Sequence, residues 1–160
     1  MHDFTLRSAT RQDLDSLVEL NAIVQALHHD ARPERFRPVA SAEVRVEFAR
    51  RLDDPDSRAW LAVDGDGGAV GYAMAVPRSR EKTPFAWPRH WVELDEMGVL
   101  PEWRGKGIGR SLIEKVAESA DGLDVELTVW SFNETAQSVY AAAGFVPQTV
   151  RMARRASDQT

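Results

Sequence analysis

The chain has 160 residues, of which 43% are hydrophobic, and this length suits one domain, residues 1–160, with a substantial core. Its net charge of −5 argues against a general nucleic-acid-binding protein, because such proteins usually present a strongly basic surface. The absence of cysteine excludes disulfides, a thiol nucleophile and an acyl-cysteine intermediate. No signal peptide opens the sequence and no stretch approaches the ~18 apolar residues of a membrane span, so we expect a cytoplasmic protein that binds no membrane.

The first 52 residues predict a short strand followed by two helices. Residues 4–8 alternate like a strand, and the next apolar residues recur at helical intervals. Ser8 or Thr10 is the expected cap of this first helix. A loop rich in basic and aromatic residues, 28–38, separates it from a second helix, 41–52, which Ser41 opens. The apolar positions of the first helix are Leu14, Leu17, Val18, Val24 and Leu27.

The middle of the chain predicts a hairpin and a third strand. Two apolar, β-prone runs in residues 59–77 flank Asp-Gly-Asp-Gly-Gly, which is a strong hairpin signal. A loop covers residues 78–89. The strand that follows, 90–99, carries three carboxylates, Glu93, Asp95 and Glu96.

The last third predicts two more helices separated by a strand. The first starts near Gly107 and buries Ile108, Leu112, Ile113 and Val116. A strand at 124–130 and a helix at 133–144 follow, and Gly144 suits the left-handed position that ends a helix. One or two closing strands, 145–154, complete a mixed sheet with helices on its faces, an α/β fold.

The glycine-rich stretch 101–116 joins a strand end to a helix start. Such a turn leaves unpaired backbone N–H groups at the helix end, and these form an anion site that fits a pyrophosphate. Arg104, Lys106 and Arg110 add positive potential. No Gly-Lys-Ser/Thr follows, which excludes a Walker A loop. The third glycine of a dinucleotide-binding fingerprint is absent, which excludes that phosphate loop as well. The alternative is an ordinary turn with solvated arginines.

Two motifs in this half resemble the GNAT superfamily of N-acetyltransferases. The stretch "VLPEWRGKGIGRSLI" resembles its coenzyme A loop through Arg104, Gly107 and Gly109. Downstream, "LTVWSFNETAQSVYAAAGFV" is similar to the second signature through Asn133, Ala136, Tyr140, Gly144 and Phe145. The resemblance implies a mixed, mostly antiparallel sheet of six to seven strands with about four helices. It also implies a splay between the strands at 91–99 and 124–130.

The same resemblance implies acetyl-CoA as the donor, no metal, and direct transfer to an amine of a small molecule or peptide in a ternary complex. The coenzyme pyrophosphate would lie on the glycine turn and the pantetheine arm in the splay. Two alternatives stay open: a different acyl donor or an oxygen nucleophile, and a coenzyme-binding module without chemistry. The implied coenzyme contacts are Met97, Gly98, Val99, Arg104, Gly105, Lys106, Gly107, Ile108, Gly109, Arg110, Asn133 and Tyr140.

Amine acetylation needs a base, because a primary amine has a pKa of about 10 and is protonated at neutral pH. Alternation along the strand predicts that Glu93 and Asp95 share one face and Glu96 the other. The resemblance favours Asp95 as the base, with Glu93 next. The alternatives are that these carboxylates pair with arginines or face solvent, and that ordered water takes the proton.

The departing thiolate, whose pKa is about 8.5, needs a proton donor, and a phenol is suited to this role. Tyr140 is the predicted donor. The alternative is a tyrosine that packs its ring in the core. Asn133 is predicted to cap its helix and, by resemblance, to contact the coenzyme arm as well.

The acceptor site is expected between the first two helices and the loop before the carboxylate strand. Aromatic and basic residues in both segments suggest its walls, although solvated surface charge is an equal alternative. The histidines His28, His29 and His90 lack metal-ligand spacing, so no metal is predicted. A homodimer is compatible with the sequence, and the acceptor is not identified. The predicted acceptor contacts are His28, Phe36, Phe85, Trp87 and Trp91.

Overall fold

The computed structural model describes residues 3–156, which build one sheet with helices on both faces. The strand order is β1-β2-β3-β4-β5. The pairs β1–β2, β2–β3 and β3–β4 are antiparallel, and the pair β4–β5 is parallel. The α/β class, the mixed sheet and the four predicted helices are confirmed. The strands are β1 Phe4–Ser8, β2 Arg58–Asp64, β3 Ala69–Arg80, β4 Arg89–Val99 and β5 Val125–Glu126; the helices are α1 Leu14–Ala31, α2 Ser41–Asp53, α3 Ile108–Ser119 and α4 Glu134–Ala142.

Each face of the sheet has its own core. On one face α1 and α2 pack against the alternate β3 residues Tyr72 and Met74. On the other face α3 packs against Ala73 and Ala75, whose small side chains let the helix approach closely. The predicted buried side of α3 is confirmed, since Ile108, Leu112, Ile113 and Val116 are all buried. The sheet is therefore the shared wall between an α1–α2 layer and an α3–α4 layer.

The first helix is entered through a short 3-10 turn, Arg11–Asp13, that Thr10 caps. Of the two predicted caps it is therefore Thr10 that serves, and its hydroxyl accepts a hydrogen bond from the Gln12 N–H at 3.3 Å. The predicted loop at 28–38 is wrong at its start, because α1 continues to Ala31. His28 completes a helical turn, with its Nδ1 2.8 Å from the Val24 carbonyl oxygen. Ser41 is the first residue of α2 and makes no capping bond.

The predicted hairpin is confirmed as β2 and β3. Asp64 organises its turn, because one carboxylate oxygen accepts hydrogen bonds from the N–H groups of Asp66 at 3.0 Å and Gly68 at 2.8 Å. Gly67 has a φ of +85°, a left-handed conformation that favours glycine. In the described residues no helix is long and apolar enough to cross a membrane.

The C-terminal strands differ from the prediction, and the described sheet has five strands rather than six or seven. The strand expected at 124–130 pairs with β4 only at Val125 and Glu126. The closing strands expected at 145–154 are absent, because that segment joins no ladder in the described chain. Composition indicates that a segment can be a strand, whereas a ladder also requires a neighbouring partner.

Candidate active site

The glycine turn leads into α3 with two residues in the left-handed conformation. Gly105 has a φ of +76° and Gly107, the residue before the helix, a φ of +87°. In the described chain, the N–H groups of residues 105–110 find no backbone acceptor, and the first bond of the helix runs from the Ser111 N–H to the Gly107 carbonyl at 3.0 Å. A run of free amides at a helix N-terminus is suited to binding an anion.

Basic side chains flank these amides. The Arg104 Nε donates to the Val99 carbonyl oxygen at 3.3 Å, which ties the turn to the end of β4. The Lys106 ammonium lies 4.6 Å from the centre of the Trp103 ring. Arg110 pairs with Glu114 one helical turn later, at 3.1 Å. The predicted positive potential is therefore present beside the amides, although Arg110 shares its charge with a carboxylate.

A cleft opens beside the glycine turn where β4 and β5 separate. Their pairing ends at Glu93 and Glu126, while β4 continues to Val99 without a partner on that side in the described chain. A Cβ on Gly109 would lie 3.4 Å from a Val139 methyl and 4.0 Å from the Met97 methyl. The start of α3, the end of β4 and α4 therefore converge at Gly109, and the predicted splay is confirmed.

Packing requires a glycine at position 98, on the face of β4 that contacts α1. A Cβ there would come within 2.8 Å of a Val24 methyl and 2.9 Å of the Tyr72 ring. Neither neighbour has room to move, because Tyr72 is buried and α1 packs directly on the strand. The absence of a side chain at Gly98 lets α1 approach the sheet. Packing alone therefore explains a glycine at this position, without a coenzyme contact.

A β-bulge in β4 sets the direction of the carboxylates. Met74 pairs with Glu96 while its neighbour Ala75 pairs with Leu94, so Asp95 is the extra residue. Asp95 contacts Arg51 of α2, and Glu96 contacts Asn21 of α1. Both carboxylates thus lie in the α1–α2 layer. The prediction that Glu96 points away from Asp95 is wrong, because simple alternation does not survive a bulge.

Asp95 is engaged in a buried ion pair. Arg51 Nη2 lies 2.6 Å from Asp95 Oδ2, and Arg51 Nε donates to Glu47 at 3.1 Å. Burial raises the pKa of Asp95, and the Arg51 charge opposes the shift. Asp95 Oδ1 and Arg51 Nη1 are buried without a hydrogen-bond partner in the described chain. Asp95 borders a cavity of ≈ 310 Å³ together with Arg50, Arg51 and Arg78.

Glu96 borders a second cavity, of ≈ 320 Å³, between α1, α2 and β4. One of its oxygens, Oε2, accepts hydrogen bonds from Asn21 Nδ2 and from the Tyr72 hydroxyl, both at 3.2 Å. Burial raises the pKa of Glu96, and the charge of Arg51 opposes the shift. The other residues that line this cavity are Asn21, Gln25, Arg37, Pro38, Ala40, Glu43, Val44, Glu47 and Phe48.

Glu93, the third carboxylate of β4, lies away from this arrangement. Its Oε2 accepts a hydrogen bond from Arg78 Nε at 3.0 Å in a partly exposed pair. This contact fits the alternative from the sequence that one of the carboxylates pairs with an arginine.

Tyr140 projects from α4 and is largely buried. Burial and, to a smaller extent, the negative charge of Glu96 together raise the pKa of Tyr140 to about 12. The ring packs edge-on against Phe145 with centroids 5.8 Å apart. No described residue forms a hydrogen bond with the Tyr140 hydroxyl. The phenol is therefore protonated at neutral pH and free to donate a hydrogen bond to a ligand.

Asn133 caps α4 as predicted. Its side-chain oxygen accepts a hydrogen bond from the Ala136 N–H at 3.1 Å. The predicted left-handed glycine at the other end of the helix is also present, because Gly144 has a φ of +91°. The local signals of this motif therefore account for the placement of Tyr140 between the two ends of the helix.

The structure does not gather the predicted acceptor contacts into one site. His28 and Phe36 join an aromatic cluster with Trp130 and Phe132, in which the Phe36 and Trp130 centroids are 5.1 Å apart. Neither cavity described above includes these residues among its lining.

The other three predicted contacts lie in or near the β3–β4 loop. Phe85 is 97% exposed and Trp87 is 77% exposed. Trp91 packs under the Arg89 guanidinium, 5.0 Å from its ring centre.

Sequence reasoning missed the polar residues that surround Glu96. Asn21 is a buried polar residue on the apolar side of α1, and Tyr72 is fully buried in β3. A polar residue at a core position of a predicted helix was the signal that could have marked Asn21. Arg51, in contrast, ends a run of surface charges and carries no such signal.

Comparison with known proteins decides the family. The sequence model of the Acetyltransferase (GNAT) family matches residues 24–145, which include both the glycine turn and Tyr140. The chain belongs to the GNAT family. This GNAT protein is an acetyltransferase, in agreement with its relatives. The N-alpha-acetyltransferase RimI of Mycobacterium tuberculosis is 33% identical over 94% of this chain and 82% of its own length.

Solved structures agree on the fold. A mutant of a Bacillus halodurans protein matches with a TM-score of 0.90 at 24% identity, over 95% of this chain and 99% of that one. An aminoglycoside N-acetyltransferase in complex with CoA matches with a TM-score of 0.73 at 19% identity, over 98% and 97% of the two chains. At these identities the likeness supports the GNAT fold of this chain and no more.

Proposed function

We propose that this GNAT protein transfers the acetyl group of acetyl-CoA directly to a primary amine of a small molecule or peptide. One observation carries the proposal: the free amides at the start of α3 lie beside the end of β4 that has no strand partner in the described chain, and α4, which carries the unbonded Tyr140 hydroxyl, meets both at Gly109. The free amides are suited to bind a pyrophosphate, and the unpaired strand end is suited to bind an extended arm that carries amide groups. The Tyr140 hydroxyl is suited to protonate a departing thiolate. Membership of the GNAT acetyltransferase family supports this choice of donor.

The proposed donor contacts follow from this arrangement. The amides of 105–110 hold the pyrophosphate, and Arg104 and Lys106 add charge beside it. Since β4 has no strand partner beyond Glu93 on the cleft side, the Met97 backbone and the Val99 N–H are proposed to bind the pantetheine arm; the Val99 carbonyl is already bonded by Arg104. Asn133 uses one side-chain oxygen to cap α4, and its amide group remains to contact the arm.

In the proposed reaction the amine nitrogen attacks the thioester carbonyl carbon. A C–N bond forms, the C–S bond breaks, and the coenzyme leaves as a thiolate. Tyr140 donates a proton to the sulfur, because its hydroxyl is protonated and has no partner in the described chain.

We propose Glu96, rather than Asp95 or Glu93, as the group that takes the amine proton. Arg51 occupies one oxygen of Asp95, and Glu93 is paired with Arg78. Glu96 is the β4 carboxylate whose charge raises the pKa of Tyr140, so it is electrostatically coupled to the proposed acid. Burial raises the pKa of Glu96, which makes it a stronger base than an ordinary glutamate.

The acceptor is proposed to enter through the ≈ 320 Å³ cavity that Glu96 borders. Glu43 and Glu47 also line this cavity, where Glu43 pairs with Arg37 and Glu47 pairs with Arg50 and Arg51. Two relatives act on small molecules according to their names: the aminoglycoside enzyme, and a streptothricin acetyltransferase of Streptomyces lavendulae, 35% identical over 58% of this chain and 47% of its own length. RimI, whose name describes N-alpha-acetylation, supports a peptide amine instead.

Initial rates test direct transfer. Direct attack requires donor and amine to be bound together, and the chain has no cysteine that could form an acyl-cysteine intermediate. We expect double-reciprocal plots at several fixed amine concentrations to intersect. Parallel lines, or an isolated acetylated enzyme that passes its acetyl group to the amine, would contradict direct transfer.

Thermal shifts test the donor site. Acetyl-CoA at one hundred times its Kd is expected to raise the Tm by roughly 5–10 °C, because it binds only the folded state. Gly109→Val places methyl groups where the amides must approach the ligand, and we expect it to remove most of the shift.

Gly65→Val is the matched control for this test. A Cβ on Gly65 meets nothing within 4 Å, and neither Gly65 nor Gly109 needs a left-handed backbone. The control is expected to keep the full shift. A Gly109→Val protein that folds and still shows the full shift would place the donor elsewhere.

A further inference from the structure

The cavity of ≈ 320 Å³ between α1, α2 and β4 contains four ionisable side chains among its described lining, Arg37, Glu43, Glu47 and Glu96. Three of the four are carboxylates, a composition that by itself would suit an acceptor with several ammonium groups. A carboxylate attracts an ammonium strongly only when no guanidinium already balances its charge. The partners of each carboxylate therefore decide how many positive charges the cavity can take.

Glu43 is balanced by Arg37 in a largely exposed pair. The contact is bidentate, because Arg37 Nη1 and Nη2 each donate to one Glu43 oxygen at 2.8 Å. The Arg37 guanidinium lowers the pKa of the Glu43 carboxyl. The Arg37 backbone is held separately, since its carbonyl oxygen accepts a hydrogen bond from Gln25 Nε2 of α1 at 2.6 Å. A change of the Arg37 side chain therefore releases Glu43 without releasing the backbone.

Glu47 is balanced by two arginines of its own helix. Arg50 Nη2 donates to Glu47 Oε1 at 2.8 Å, and Arg51 Nε donates to the same oxygen at 3.1 Å. The hydrogen bond from Arg50 lowers the pKa of Glu47 to about 2. The second positive charge of this group is matched by Asp95, whose Oδ2 lies 2.6 Å from Arg51 Nη2. The two arginines and the two carboxylates together therefore have no net charge.

Glu96 is the remaining carboxylate of the lining, and it forms no ion pair with a described residue. Its described hydrogen bonds come from two neutral groups, Asn21 Nδ2 and the Tyr72 hydroxyl, and both fall on Oε2. Its other oxygen, Oε1, is therefore available to a ligand. One unbalanced carboxylate matches one ammonium group.

The uncharged part of the lining is largely apolar. Val44 and Phe48 lie one turn apart on α2, and Pro38 and Ala40 precede that helix. Hydrocarbon gains from burial against such side chains, whereas a second ammonium would lose hydration there without gaining a counter-charge. The volume is at the small end of the roughly 300–1,000 Å³ that ligand pockets span, so a small acceptor or one end of a larger one fits.

Taking this cavity as the acceptor site of the proposed function, we propose that it takes an amine with one positive charge and an apolar body, and that Arg37 sets this specificity. Glu96 binds the single ammonium, and Val44 and Phe48 contact the hydrocarbon. Arg37 cancels the charge of Glu43, which could otherwise hold a second ammonium. Monoamines are therefore better ligands and better acceptors than diamines of the same length.

Hexylamine and cadaverine test this charge limit, because their chains have the same length and differ in whether the far end is a methyl or an ammonium group. Chemical-shift titrations of the full chain give a Kd for each amine without turnover, and released coenzyme thiol gives kcat/KM. We expect hexylamine to bind at least tenfold more tightly than cadaverine and to have a kcat/KM that is higher by a similar factor.

Arg37→Gln leaves Glu43 without its guanidinium and is expected to reduce the preference for hexylamine at least threefold, through tighter binding of cadaverine. Arg11→Gln is the matched control, because it also removes an arginine from an exposed pair, with Asp53 at 2.6 Å. Neither Arg11 nor Asp53 lines the cavity. The control is expected to keep the preference of the parent.

Cadaverine that binds the parent as tightly as hexylamine would overturn the charge limit, and so would an absence of binding by both amines. An unchanged preference in Arg37→Gln would overturn the role of Arg37. The thiol measurement separates these outcomes from a failure of the proposed function. Tighter binding of hexylamine without acetylation of either amine would contradict the proposed function and support the charge limit.

Discussion

Tyr140→Phe is expected to lower kcat by roughly 10²–10⁴-fold, the usual contribution of a general acid, while the Kd for acetyl-CoA and the Tm stay close to those of the parent. The substitution keeps the ring that packs on Phe145 and removes only a hydroxyl that no described residue bonds. Steady-state rates from released thiol give kcat, and thermal shifts give the affinity.

Tyr72→Phe is the informative comparison, because Tyr72 and Tyr140 are the two tyrosines of the chain. The Tyr72 hydroxyl donates to Glu96, so its removal destabilises the charged form of Glu96 and raises the pKa of that carboxyl further. We expect the low-pH limb of kcat/KM to move to higher pH, with a smaller loss of kcat at its plateau. A Tyr140→Phe enzyme as active as the parent would mean that water protonates the thiolate.

Glu96→Gln is the second large effect, a loss in kcat/KM of roughly 10²–10⁴-fold at pH 7. A glutamine keeps the shape and the hydrogen bond from Asn21 but cannot take a proton. In the parent, kcat/KM falls as Glu96 is protonated, and this fall begins at a higher pH than for an ordinary glutamate because burial raises its pKa. The variant is expected to lack this fall in kcat/KM at low pH.

The ratio of variant to parent rates should rise from pH 7 toward the pKa of the amine, about 10, since free amine no longer needs a base. A flat ratio over this range would contradict the base role. Glu93→Gln, which loses only a partly exposed pair with Arg78, is the control and is expected to change kcat/KM little. Asp95→Asn is expected to lower the Tm, because the largely buried Arg51 loses the nearer of its two carboxylate partners and keeps only Glu47.

Local patterns predicted the backbone geometry of the glycine turn, α3 and α4 well. The glycines at 105, 107 and 109, the cap at Asn133 and the apolar side of α3 depend on short-range rules of backbone geometry and periodicity. Each such rule involves residues within one or two turns, so one sequence contains what is needed. The α/β class followed from the order of these elements.

The acceptor half depends on contacts between distant segments and could not be predicted in the same way. The bulge at Asp95 is set by the register between β3 and β4, and it brings Glu96 into the α1–α2 layer. Asn21 meets Glu96 across 75 positions of sequence. The aromatic residues chosen from composition alone, Phe85 and Trp87, are exposed in a loop. Likewise, the strands expected at 127–130 and 145–154 lack partners within the described chain.

The most direct measurement is release of coenzyme thiol from acetyl-CoA in the presence of a panel of amines, with the product mass determined for each active amine. The protein contributes no thiol signal, because it has no cysteine. We expect thiol release that requires an amine, a product heavier by one acetyl group on nitrogen, and loss of both with Tyr140→Phe and Glu96→Gln. Thiol release that is the same without an amine, or unchanged in both variants, would contradict N-acetyl transfer at this site.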